Sequence, residues 1–174
     1  MALGRKEPVL TDEPTSKASS FTIGGQTLSA TRALAVARKS ATWFWWISGL
    51  ALLNAVAVLL GFHIGAIGIL GITWLLDSWA LNSHGPSAVL LAHTASLLVV
   101  SALFAYWGIQ ARKLHLRAYY FGIGFYATDM LLVALSHDWL HLLFHAFFLV
   151  MLWGGYKFTK AYNATISEIE AHTA

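Results

Sequence analysis

From Ala41 to Phe158 the chain is apolar almost throughout, and the apolar residues fall into five runs, roughly 41–62, 64–81, 87–109, 117–135 and 138–158. A helix needs ~20 consecutive apolar residues to cross the hydrocarbon of a bilayer. Four of the runs approach that length, and the second is shorter and contains Asp77. Only 11% of residues are charged and 57% are hydrophobic, whereas soluble domains carry about a quarter charged residues. The fold class expected is an all-α membrane protein.

The basic residues decide how many runs cross. Lys and Arg accumulate in cytoplasmic loops. If all five runs cross, Arg112, Lys113, Arg117, Lys157 and Lys160 face away from the amino-terminal group Arg5, Lys6, Lys17, Arg32, Arg38 and Lys39. If 64–81 does not cross, all eleven share one side. The expected architecture is therefore four transmembrane helices in a bundle, with both termini cytoplasmic. The run 64–81 is expected as a re-entrant or surface-lying helix on the outer side. Gly65, Gly68 and Gly71 suit it to close packing, and irregular backbone at membrane depth requires burial in protein.

Outside the spans, residues 1–26 mix Pro, Ser, Thr, Gly and charge without periodicity and are expected to be a disordered tail. Residues 27–40 are expected as a basic juxtamembrane amphipathic segment, 41–160 as the transmembrane domain and 161–174 as a second cytoplasmic tail. Trp43, Trp45, Trp46, Trp107, Tyr119 and Tyr120 fall near the inner interface, and Trp79 and Trp139 near the outer one, as aromatic belts do. The formal charge of +3 resides in span flanks, which argues for membrane orientation and against nucleic acid. No cysteine is present, which excludes disulfides and thiolate chemistry.

In this topology histidines and carboxylates collect in the outer half: His63, Asp77, His84, His93, Asp129, His137, Asp138, His141 and His145. His137, His141 and His145, spaced by four, are expected to form one stripe on the last helix. Asp129 lies inside the third span, where an ionised side chain is costly. It should face the bundle, with His145 its natural partner and His141 or His93 as alternatives. Three readings of the constellation stand. A structural polar centre of Asp129, His145 and Asp77 would fix helix packing, with Tyr126 and Thr128 nearby. A metal or haem site would draw on His93, His141, His145 and Asp129, although no HExxH or c-type haem pattern is present. A proton or solute pathway would need an oligomer, because four spans leave little room for a pore, and the polar wedge stops halfway. The expectation is the first, with no cofactor and no catalytic residue.

The segments "FWWISGLALLN" (44–54), "GILGITWLLD" (68–77), "GIQARK" (108–113), "FGIGFYATDMLL" (121–132) and "DWLHLLFHAFFL" (138–149), in that order, resemble a group of small bacterial multi-pass integral membrane proteins of uncharacterised function. That resemblance implies Asp77, Asp129 and the pair Phe144–His145 as recurrent polar features, and a bacterial cytoplasmic membrane as the location. Taken together, the expectation is a non-enzymatic accessory or scaffold component whose partners are the lipid bilayer and either other membrane proteins or further copies of itself.

Overall fold

A computed structural model describes residues 20–23, 26–60 and 71–173. Four helices are long and apolar enough to cross a membrane, over Thr31–Leu59, Ser87–Arg112, Leu116–Leu135 and Trp139–Ser167. The chain is thus an all-α membrane bundle. In order, a two-stranded antiparallel pair β1 (Ser20–Ile23) and β2 (Gln26–Ser29) leads into α1 (Ala30–Ser40) and α2 (Thr42–Leu59). These are followed by α3 (Gly71–His84), α4 (Pro86–Arg112), α5 (Leu116–Leu135) and α6 (Trp139–Thr173).

Most of the tail expected over 1–26 lies outside the described residues, but regular structure already begins at Ser20. At the other end, the segment 161–173 is helical. The last helix runs through it to Thr173, and its extension is held by Asn163 Nδ2, which donates to Leu114 O at 3.0 Å.

The four long helices close a ring in which α4 packs on α2, α2 and α1 on α6, and α6 on α5. Serine and alanine on the facing stripes of α2 and α4 allow close approach, and Ser48 Oγ donates to Ser101 O at 2.8 Å across that seam. Aromatic side chains fill the centre. Phe44 and Phe104 are fully buried and lie 6.1 Å apart by ring centroids, with Tyr119 5.3 Å from Phe44. The space for Phe44 comes from Gly122, where a Cβ would sit 2.3 Å from Phe44 Cε1. The other glycine of "FGIGFYATD", Gly124, faces open space.

The aromatic belt is narrower than the sequence suggests. Trp46, Trp79, Trp139 and Tyr120 are exposed, as interface anchors should be. Tyr119 is completely buried and hydrogen-bonds Ser40 at 2.9 Å. Trp43 packs edge-on against Phe147, and Trp107 edge-on against Phe104.

The helix α3 is the element that departs from a simple four-helix bundle. It forms an antiparallel hairpin with α4 around Gly85, whose φ of +85° suits a residue without a Cβ, and Pro86 then starts α4. Running back from that turn, α3 leans on α4 and α5, and its first residue meets α5 beside Asp129. Asp129 lies six residues, or about 9 Å, in from the C-terminal end of α5. The segment expected as re-entrant or surface-lying therefore enters the bundle over its described part. Residues 61–70, including His63, Gly65 and Gly68, lie outside the described residues.

Candidate functional site: an aspartate–histidine centre at the half-helix

The first N–H groups of any helix have no partner within it. In α3 two of them are satisfied from another helix: Gly71 N–H donates to Asp129 Oδ2 at 3.0 Å and Ile72 N–H to Asp129 Oδ1 at 2.9 Å. Both carboxyl oxygens are thus engaged by one helix end. This approach is possible because residue 71 is glycine. A Cβ there would lie 2.5 Å from Leu132 Cβ and 2.8 Å from Asp129 O.

His145 closes the third side, with Nε2 2.8 Å from Asp129 Oδ2. Its other nitrogen, Nδ1, donates to His141 O at 2.8 Å. A carbonyl oxygen can only accept, so Nδ1 carries a hydrogen. The hydrogen shared between Nε2 and Oδ2 is then a second one. The pair is either imidazolium with carboxylate or imidazole with carboxylic acid, and its net charge is zero in both forms. That neutrality suits a site where Asp129 is 2% exposed and His145 is fully buried. Tyr126 stacks on the imidazole, with centroids 4.6 Å apart and planes 14° from parallel.

The sequence-derived partnership of Asp129 with His145 therefore holds, and the alternatives His141 and His93 are paired elsewhere. His93 Nδ1 is 2.6 Å from Asp77 Oδ2. The two residues are equally distant from Gly85 along the chain, so the hairpin itself brings them level. The pair is partly buried, and Asp77 Oδ1 has no hydrogen-bond partner. Asp77 thus belongs to a second centre, separate from the first. Thr128 takes no part, since its hydroxyl donates to Gly124 O on its own helix.

The expected three-histidine stripe is reduced to two. Helix α6 begins at Trp139, and His137 lies before it with φ +58°, the left-handed conformation that ends α5. Asp138 is the helix N-cap: its Oδ1 accepts the His141 N–H at 3.2 Å, and its Oδ2 lies 2.5 Å from His141 Nδ1. The backbone hydrogen bond from His141 holds the Asp138 carboxyl below its ordinary range. Among the described residues no three of His, Asp or Glu converge as metal ligands. The carboxyl–backbone contact at α3 was not anticipated from sequence. Its traces are an aspartate inside a span and a glycine, Gly71, within the short second run.

No family model, curated protein or solved structure matches the chain. The functional reading consequently stands on geometry.

Proposed function

We propose that this is a non-enzymatic multi-pass protein of the bacterial cytoplasmic membrane, an accessory or scaffold component. In this reading the Asp129–His145 centre is structural and seats the half-helix α3. One observation carries it: both oxygens of Asp129 and both ring nitrogens of His145 are already engaged within the protein. A metal ligand or an axial haem ligand needs a free nitrogen lone pair, and His145 offers none in this arrangement. Basic residues at the α4–α5 turn and at the α1 end support a topology with both termini cytoplasmic.

A second reading attaches to Asp77 and His93. An unpartnered carboxylate oxygen beside an imidazole is a donor set a divalent metal accepts, so among the described residues a metal role falls to that pair.

Purification from the native membrane, followed by absorption spectra, elemental analysis and identification of co-purifying proteins, tests both. The structural reading expects colourless, metal-free protein and loss of folding in His145→Leu. A Soret band would refute it, and stoichiometric metal lost in His93→Ala would establish the second reading. Because the chain lacks cysteine, single cysteines at Lys113 and His137 report sidedness with an impermeant maleimide. Labelling of both positions from one side would overturn the topology.

A further inference from the structure

The two helices that meet at Leu114 pack mainly on other partners, α4 on α2 and α3, α5 on α6. They leave a cavity of about 630 Å³ at the basic end of the bundle, inside the ~300–1,000 Å³ range of small-ligand sites. Its composition is graded. Gln110, His115, Arg117 and Asn163 line the part nearest the turn, while Tyr106 and Phe121 lie one helical turn further into the spans. Among the described residues no carboxylate lines it.

The turn that frames it is fixed rather than loose. Leu114 has φ +66°, and His115 N–H donates to Gln110 O at 3.2 Å, with Leu114 N–H to Ala111 O at 2.9 Å. That is a Schellman ending with leucine where glycine is usual. Asn163 from α6 holds the Leu114 carbonyl, and His115 Nδ1–H donates to Gln110 Oε1 at 2.9 Å. Arg117 remains exposed at the mouth, and the exposed Tyr106 and Phe121 face the surroundings of the bundle.

We propose that this cavity binds the phosphate headgroup of an anionic glycerophospholipid. Arg117 takes the phosphate through its planar donor fork, the amide side chains donate to the ester oxygens of the glycerol backbone, and Tyr106, Trp107 and Phe121 cover the first carbons of the acyl chains. The gradient from guanidinium to aromatic ring runs in the same direction as the gradient within a lipid, from headgroup to chain. A soluble phosphate compound matches only the polar half. This inference depends on the bundle being embedded in a membrane and is independent of the Asp129–His145 centre.

The test uses the full-length chain in nanodiscs of phosphatidylcholine containing a minor fraction of phosphatidylglycerol, with retained lipid read by native mass spectrometry. The unaltered protein should retain phosphatidylglycerol in preference to phosphatidylcholine. Arg117→Gln should lower that retention roughly tenfold, the scale of one charge-assisted hydrogen bond, and Arg112→Gln, in the same turn but outside the cavity, should not. Equal retention of the two lipids by the unaltered protein overturns the proposal. So does an equal loss in both variants, which would mean diffuse surface attraction. Displacement of the lipid by glycerol 3-phosphate would assign the site to a soluble ligand instead. Should Arg117→Gln fail to fold, Trp107 fluorescence is read as the difference from a Trp107→Phe chain. Quenching by dibrominated phosphatidylglycerol no stronger than by the choline lipid refutes the site.

Discussion

Replacing Asp129 with alanine removes the partner of three groups at once: Gly71 N–H, Ile72 N–H and the His145 imidazole. Each buried group left without a partner costs about 1–3 kcal/mol, which brackets the loss at roughly 3–9 kcal/mol. Removing one member of a buried, hydrogen-bonded charge pair costs about 3–5 kcal/mol by itself. The two ranges share about 3–5 kcal/mol, and that is the destabilisation expected of Asp129→Ala. Asp129→Asn should be milder, about 1–3 kcal/mol, because its amide oxygen still accepts one helix N–H while its NH₂ faces the other. Reversible unfolding in mixed micelles measures both variants. Hydrogen exchange at the Gly71 and Ile72 amides localises the effect, and protection there should fall before protection in α4 or α6. A double-mutant cycle with His145→Ala should return a coupling above about 1 kcal/mol, since the second substitution removes one of the orphaned groups. If Asp129→Ala costs less than about 1 kcal/mol, or the two amides keep their protection, the carboxyl group is not what seats α3.

Three further outcomes follow from local geometry. Gly71→Ala should destabilise by about 1–3 kcal/mol through overpacking against α5, while Gly124→Ala, facing open space, should be neutral or slightly stabilising; thermal unfolding of the pair separates them. His137→Val should cost about 1–2 kcal/mol because residue 137 is left-handed, and His137→Gly should not; equal costs would put the residue in a helix after all. The Asp138 cap should be pH-dependent. Its carboxyl is lowered by the hydrogen bond from His141 N–H, so its stabilisation is complete above the ordinary value near ~3.9 and is lost as pH falls through the lowered one. The stability gap between the unaltered chain and Asp138→Ala should narrow on acidification, and a constant gap would refute the cap.

The long apolar runs are enough to foresee four helices long and apolar enough to span. These are summed, local signals, and no single residue decides them. The position of α3 was not legible, because its anchor joins residues 58 apart in sequence and uses a backbone N–H, which has no residue-type signature. The histidine stripe is broken for a local reason. The spacing of four assumed an unbroken helix, while "SHD" at 136–138 carries a left-handed residue and an aspartate N-cap. Asp138 immediately before an apolar run is a start signal that the sequence did display. Asp77 and His93 were foreseen separately, and their pairing follows from the glycine–proline turn midway between them.

The cross-helix cap on α3 also has a consequence in time. During synthesis Gly71 leaves the ribosome well before Asp129, and His145 later still. Until the third span and the beginning of the fourth have been inserted, the leading amides of the half-helix lack the acceptor they hold in the finished protein. The segment must wait in a wetter setting, at the interface or within the insertion machinery, and it docks only once the carboxy-terminal half of the chain has arrived.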